Sequence, residues 1–145
     1  MKQSLYSLED IKDTPQFFKL SELEAKQVCC FCEPFMRNSN IKLHRVEYRN
    51  DGWLVSRHDY QSEGSRFHFL ISAKRHVELP SELYMNEWTS FGKAVNWIER
   101  TYKLKGGSLV MSFGDGKLTK SPVRHLHAEV IVGFERRKTI RMQNA

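Results

Sequence analysis

The chain has 145 residues and a net charge of +6, and 40% of its residues are hydrophobic and 12% aromatic. This composition indicates one folded domain, residues 1–145, and excludes a disordered chain; no apolar run approaches the roughly eighteen residues of a membrane span. The N-terminal residues lack the apolar segment of a secretory signal, so we expect a soluble, cytoplasmic protein. The charge favours polyanionic partners such as nucleotides or nucleic acid.

The first half of the chain predicts a short helix followed by strands. Ser21–Glu24 matches a capping box and predicts a short N-terminal helix that reaches Gln27. Alternating apolar residues then predict strands at 41–49, 53–58 and 66–73. The Asn-Asp-Gly turn between the first two is typical of a hairpin, which predicts an antiparallel sheet.

The second half predicts one long helix and further strands. Residues 81–102 place apolar side chains at helical spacing, with Ser81 or Asn86 as the N-cap and two glycines at 106–107 ending the helix. The apolar stripe is Trp88, Phe91, Val95, Ile98 and Tyr102, which we interpret as core.

Strands are predicted at 108–113 and 123–132, with a short last strand at 138–142. The fold class is therefore α+β: an antiparallel sheet of about five strands with one long helix and a short N-terminal helix.

Three cysteines form one cluster, Cys29, Cys30 and Cys32, in a chain with no other cysteine. An odd, clustered set argues against a disulfide framework and leaves metal binding, redox chemistry or buried small side chains. Cys29 and Cys32 have the Cys-x-x-Cys spacing of zinc sites, in which two thiolates on a tight turn face one ion. Any further ligands would be histidines or carboxylates.

His125, His127 and Glu129 alternate along a predicted strand, so their side chains share one face, while Leu126, Ala128 and Val130 share the other. A neutral imidazole with its second nitrogen held by a partner is a good nucleophile toward phosphorus. The alternative is a structural pair of histidines beside a carboxylate, and the spacing alone leaves both open.

The stretch "VRHLHAEVIV" closely resembles the signature of the histidine triad (HIT) superfamily, His-x-His-x-His followed by apolar residues. "FHFLISAKRHVELPSEL", "SFGDGKLTKSPVRHLH" and "CCFC" resemble the family's upstream strand, its glycine-containing loop and the Cys-x-x-Cys of its zinc-containing members. The matches keep the family's order over roughly residues 29–133. Residues 1–28 and 134–145 form an extension and a tail without a match.

The resemblance implies a HIT-like fold, often homodimeric, and a nucleotide hydrolase or nucleotidyltransferase. Family members attack the α-phosphate of a nucleotide conjugate with the middle histidine and form a nucleotidyl-histidine intermediate; here that histidine is His127. The zinc-containing branch includes dinucleoside polyphosphate phosphorylases and galactose-1-phosphate uridylyltransferases. The resemblance to it implies a structural Zn²⁺ held by Cys29, Cys32, His76 and His125, a closed set of four protein ligands.

This sequence departs from the family at the third signature position, where Glu129 replaces His or Gln. An ionised carboxylate cannot donate to a phosphate oxygen and repels the anion. Glu129 would therefore be protonated in a dry site, contact a hydroxyl, amine or cation of an unusual substrate, or mark a weakened or repurposed enzyme.

Substrate-binding candidates follow from the same comparison. Pro122 stands where the family often has a hydroxyl, so Ser121 would contact the leaving group, with Thr119 as the other choice. Asp59 is the candidate for the ribose, and Lys120 and Arg124 would offset phosphate charge or serve solubility. The alternative function is a catalytically weak or inactive zinc-stabilised module that binds nucleotides or, less favoured, nucleic acid.

Overall fold

One antiparallel sheet of five strands organises the computed structural model, which describes residues 4–11, 14–32, 45–58, 63–119 and 121–134. In chain order the strands are β1 (Val46–Arg49), β2 (Trp53–Arg57), β3 (Ser65–Ala73), β4 (Ser108–Ser112) and β5 (His127–Gly133). Their order across the sheet is β1-β2-β3-β5-β4, and each neighbouring pair is antiparallel. The predicted α+β class is confirmed, and the predicted strand at 138–142 lies outside the described residues.

Helices lie between and before these strands: α1 (Thr14–Ala25), α2 (Met85–Thr101) and the four-residue α3 (Gly116–Thr119). The N-terminal helix is longer than predicted and begins at Thr14 instead of Ser21. Pro15 fits the first turn of a helix, where a backbone N–H has no intrahelical partner, so this earlier start costs no hydrogen bond. Within the described residues no helix has the length and apolarity needed to cross a membrane.

The ends of α2 differ from the prediction. The expected caps Ser81 and Asn86 are wrong, because the helix begins after Tyr84, whose N–H donates to the Glu87 carboxylate at 2.9 Å. A carboxylate in the first turn also interacts favourably with the helix dipole. The helix ends at Thr101, before the two glycines, and Lys103, two residues later, has a φ of 52° and takes the left-handed conformation that terminates helices.

The helix α2 covers one face of the sheet and forms the main core with it. The buried members of this core on the sheet and on α2 include Trp53, Val55, Phe69, Ile71, Ala94, Ile98, Ala128 and Val130. The predicted stripe is partly wrong, since Trp88 remains 37% exposed while Ser90 and Ala94 are buried. The hairpin turn approaches α2 closely at these small residues: a Cβ at Gly52 would lie 3.5 Å from Cβ of Ser90.

The N-terminal segment covers the opposite face of the sheet. A second cluster joins it to β3 and consists of Tyr6, Leu20, Leu23, Cys29, Cys30, Phe31 and Leu70. Backbone contacts fix its start, because Tyr6 forms a β-bridge with Val123 and the N–H of Ser7 donates to the Pro122 carbonyl at 2.7 Å. Both faces of the central strands are therefore shielded, and the face that carries the histidines lies beneath the N-terminal segment.

Candidate active site and metal centre

The strand β5 separates its side chains as the sequence alternation predicts. Ala128 and Val130, with Leu126 just before the strand, point into the main core beneath α2. His127 and Glu129 point to the other face and are only 5% and 6% exposed. The expected polar face therefore exists for these two residues and is buried, but the strand begins at His127, so His125 precedes it.

His127 is held in one tautomer by its surroundings. Its Nδ1 lies 2.6 Å from the backbone carbonyl of His125, which can only accept, so Nδ1 carries the proton. Its Nε2 then has the lone pair and accepts from the hydroxyl of Ser121 at 3.2 Å. Burial lowers the pKa of His127 to about 4, so the imidazole is neutral at neutral pH. An oriented, neutral imidazole of this kind can act as a nucleophile.

Two of the predicted substrate-binding residues fall within the described part of the chain. Ser121 lies at His127, whereas Arg124 places its guanidinium 3.9 Å from the Asp115 carboxylate. Asp59 and Lys120 lie outside the described residues. The Oγ of Ser121 lies 3.2 Å from Nε2 of His127, and its contact with a leaving group stays a prediction.

Cys29, Cys32, His76 and His125 bring four donor atoms within 4.8 Å of one another. Nδ1 of His125 lies 3.4 Å from Sγ of Cys29 and 3.7 Å from Sγ of Cys32. Nδ1 of His76 lies 3.3 Å from Sγ of Cys32 and 3.1 Å from Nδ1 of His125. Three chain segments that are far apart in sequence thus meet at one point.

This cluster has the geometry and the chemistry that zinc requires. Tetrahedral bonds of about 2.0–2.3 Å separate neighbouring ligand atoms by about 3.3–3.8 Å, close to the separations seen between the cysteine and histidine atoms. The hydrogen bond with Cys29, with hydrogen bonding and charge from His125 and a hydrogen bond from His76, lowers the pKa of the Cys32 thiol, although burial opposes it. The same hydrogen bond and burial raise the pKa of Cys29. Thiolate sulfur and imidazole nitrogen are the ligands that zinc prefers, so the types of donor atom fit this ion.

Neighbouring groups orient the two histidines of the cluster. Nε2 of His125 donates to the Ala73 carbonyl at 2.6 Å, which leaves Nδ1 as the free ligand atom. His76 follows Arg75, whose Nε and Nη2 bind the two carboxylate oxygens of Glu87 at 3.0 and 2.8 Å. This bidentate pair attaches the loop of His76 to the start of α2.

Glu129 is engaged by two histidines that the sequence analysis did not assign to the site. Its Oε1 lies 2.8 Å from Nε2 of His58 and 3.0 Å from Nε2 of His68. Burial raises the pKa of Glu129, but hydrogen bonds with His58 and His68 and the charge of His58 outweigh it and hold the pKa below its usual range. The geometry thus favours an ionised carboxylate paired with imidazoles over the protonated form considered from the sequence.

His58, His68 and Glu129 form a second set of groups whose donor atoms lie within 4.8 Å of one another. The rings of His58 and His68 are stacked, with centroids 4.2 Å apart and planes 18° from parallel. Both Nε2 atoms lie within 3.0 Å of the same carboxylate oxygen, so Glu129 is paired with two imidazoles.

The register of the sheet brings His68 close to Glu129. His68, Leu70 and Ser72 alternate on β3, and β3 pairs with β5 so that Leu70 lies opposite Glu129. His68 is then a diagonal neighbour of Glu129 on the same face. The sequence contains the alternation, but the pairing of β3 with β5 is known only from the fold. Phe31, whose ring lies 4.9 Å from that of His127, was also missed.

Comparisons with known proteins give similar structures. No family model and no curated protein matches the sequence. A Zn-bound histidine triad family protein from Mycobacterium smegmatis aligns with a TM-score of 0.61 and 16% identity, covering 82% of this chain and 84% of that one. A hypothetical histidine triad nucleotide-binding protein from Sulfolobus tokodaii aligns at 0.58 and 21%, covering 78% and 77%.

A third solved structure is the Plasmodium falciparum diadenosine triphosphate hydrolase in complex with cyclomarin A. It aligns with a TM-score of 0.54 and 15% identity, covering 67% of this chain and 65% of that one. At these low sequence identities, the TM-scores show that the chains share an architecture. The resemblance noted in the signature strand is thereby confirmed at the level of structure, and the chain has the fold of the histidine triad proteins.

Proposed function

We propose that the chain is a nucleotide hydrolase or nucleotidyltransferase that attacks the α-phosphate of a nucleotide conjugate with His127. The observation that carries this proposal is the fixed tautomer of His127, whose Nδ1–H donates to His125 and whose Nε2 keeps its lone pair in a neutral ring. Dinucleoside polyphosphates and nucleoside phosphoramidates are the substrate classes. Similar structures named as a diadenosine triphosphate hydrolase and as a nucleotide-binding protein support this choice.

In the first step the lone pair of Nε2 forms a bond to the α-phosphorus while the bond from phosphorus to the leaving group breaks. The leaving group departs with that electron pair and takes up a proton from solvent, which the hydroxyl of Ser121 can relay by donating its own proton and taking up another. The ring becomes cationic, and the His125 carbonyl stabilises the charge through Nδ1–H. Water, phosphate or another acceptor then attacks phosphorus, the bond from Nε2 to phosphorus breaks, and Nε2 regains its lone pair. When the acceptor is water, it gives up one proton to solvent.

Zinc, when bound, would supply a structural cross-link, because Cys29, Cys32, His76 and His125 would provide four protein ligands. The chain's own part is to hold His125, since the carbonyl of this residue orients the nucleophile. Asp59, Lys120 and Arg124 remain the candidates for the ribose and the phosphates.

The pairing of Glu129 bears on whether an anion can enter. Two positions along a strand are about 7 Å apart, and an unpaired carboxylate at that distance would repel a phosphate charge by about 2 kcal/mol at an effective dielectric constant of about 20. N–H groups of His58 and His68 directed at Glu129 reduce this repulsion. The pairing therefore lowers the electrostatic cost of a phosphate near Glu129.

A second candidate function is a non-catalytic nucleotide-binding module stabilised by zinc. The low exposure of His127, 5%, favours it, because a nucleophile must reach its substrate. Tight nucleotide binding that is unchanged in His127→Ala, with no product, would establish this alternative.

The test incubates the metal-loaded protein with a diadenosine polyphosphate and, separately, with adenosine phosphoramidate. We expect turnover and an acid-labile nucleotidyl adduct on His127, both absent in His127→Gln, which keeps the size of the side chain. Thr89→Ala, on the exposed side of α2, is the control that should retain activity. Absence of both product and adduct in the wild type would rule the enzymatic proposal out.

A further inference from the structure

Phe31 lies between the metal-ligand cluster and the proposed nucleophile. It sits between Cys30 and Cys32 in the sequence and is 5% exposed. Its ring centroid is 4.9 Å from that of His127, at an interplanar angle of 67°, and 6.1 Å from that of His125, at 88°. Both contacts have the edge-to-face geometry that aromatic rings prefer.

The loop that carries Phe31 is fixed independently of the ring. The hydroxyl of Tyr6 donates to the Val28 carbonyl at 2.6 Å and accepts from the Cys30 N–H at 2.8 Å. Cys32 N–H donates to the Cys29 carbonyl at 3.3 Å, which closes the turn. The side chains of Cys29 and Cys32 reach the cluster with His76 and His125. The position of Phe31 thus depends on the backbone clamp and on the cluster.

His127 is constrained on two sides by hydrogen bonds and on a third by this ring. The His125 carbonyl fixes Nδ1 and Ser121 contacts Nε2, but two hydrogen bonds still permit the imidazole to tilt about the line between them. A ring packed at a steep angle limits that tilt. A reactive atom displaced by about 1 Å can lose about 100-fold in rate, so such a restraint affects chemistry.

We propose that Phe31 is a positioning residue for His127, through which the Cys29–Cys32 loop orients the nucleophile. The inference rests on the proposed function for its kinetic consequence, but the packing of Phe31 on His127 can be tested without any substrate. Cys29 and Cys32 would hold zinc with His76 and His125, and a bound ion would then fix the shape of the loop that carries Phe31.

The substrate-independent test measures the rate at which diethyl pyrocarbonate modifies His127, followed by peptide mass spectrometry on the zinc-loaded protein. Phe31→Ala should raise this rate about tenfold or more, since it uncovers the ring, whereas Leu20→Ala, a deletion in the same N-terminal cluster on α1, should leave it within about twofold. Zinc content is measured in each variant. Equal modification rates in the wild type and in Phe31→Ala would overturn the proposal.

The coupling to the metal is tested by combining variants. Cys32→Ser should raise the modification rate in a protein with Phe31 and add little in one with Phe31→Ala, because both changes remove the same restraint. Fully additive effects would overturn the role of the loop as the connection between the cluster and His127.

The kinetic test separates positioning from two simpler roles. With a turned-over nucleotide, Phe31→Leu should lower kcat about 10- to 100-fold with KM nearly unchanged, and Phe31→Tyr should restore most of kcat. A loss of thermal stability with unchanged kcat would mean that Phe31 is only core, and a rise in kcat/KM would mean that it blocks the site; either result overturns the proposal. If the wild type turns over no nucleotide, the proposed function fails while the modification rates still decide the packing claim.

Discussion

The backbone carbonyl of His125 accepts a hydrogen bond from Nδ1 of His127, with 2.6 Å between the two atoms. The side chain of His125 meanwhile turns away to Cys29 and to the Ala73 carbonyl. One residue thus belongs to the Cys/His cluster through its ring and to the nucleophile through its backbone. A displacement of the His125 side chain in the cluster is therefore transmitted to His127 through the backbone of His125.

The state of His127 predicts an unusual pH dependence. Burial places its pKa at about 4, so the ring stays unprotonated, and competent to attack, throughout the range in which an exposed histidine titrates. We expect the single-turnover rate of adduct formation to show no loss assignable to His127 between about pH 7.5 and about pH 5.5. Stopped-flow measurement, or NMR of the ring, checks this. A titration of His127 near 6.5 would contradict it.

The metal cluster predicts different outcomes for two neighbouring cysteines. Cys32→Ala should abolish stoichiometric zinc and lower the melting temperature, since it removes one of four ligands. Cys30→Ala is the matched control: Cys30 is buried, but its side chain is not part of the cluster, so zinc should stay at about one per chain. Metal analysis and thermal unfolding of the two variants provide the measurement. Stable, metal-free wild-type protein would disprove the site.

Two adjacent glycines should respond differently to alanine. A Cβ at Gly107 would lie 3.0 Å from Cγ2 of Val132 and 3.1 Å from the Ile131 carbonyl, so β5 would have to move. Gly107→Ala should lower the free energy of unfolding by about 1–3 kcal/mol. Gly106→Ala meets open space and should be close to neutral. Urea unfolding of both variants measures the two changes in the free energy of unfolding. Equal changes would show that β5 accommodates the added methyl group and would contradict the prediction.

Glu129 predicts a pH-dependent contribution to stability. Its pKa is lower in the folded chain than in the unfolded one, so its stabilisation is present above the unfolded value of about 4.3 and is lost as pH falls through the folded pKa. Glu129→Gln keeps an acceptor for His58 and His68 but removes the charge, and should cost about 1–3 kcal/mol near neutral pH. The difference in free energy of unfolding between wild type and variant should become smaller as pH falls below about 4. If this difference grows instead, Glu129 is protonated in the folded chain.

The sequence was most informative where a pattern is local. Alternation placed β2, β3 and β4 within a residue or two, and the spacing of apolar residues found α2. The boundaries that failed depended on tertiary contacts: Glu87 caps α2 while it binds Arg75, and Trp88 is left outside because small residues face the hairpin. Propensity carries no information about such partners.

In the candidate site too, the residues in local sequence motifs were predicted, and those that depend on tertiary contacts were not. The Cys-x-x-Cys pair and the signature histidines were visible in the sequence, and the four proposed ligands do converge. The partners of Glu129 were not visible, because His58 and His68 reach it only through strand pairing. Phe31 was hidden for a related reason: its contact with His127 spans most of the chain.

The separation of 96 residues between Cys29 and His125 bears on how the protein folds. Bringing two such distant points together closes a loop that comprises most of the domain, which is slow and costly in chain entropy. The sheet of β2, β3 and β5 can form before that closure, whereas the nucleophile acquires its surroundings only after it. We therefore expect that, in the zinc-free protein, the backbone amides of β2 and β3 exchange hydrogen more slowly than those of the Cys29–Cys32 loop.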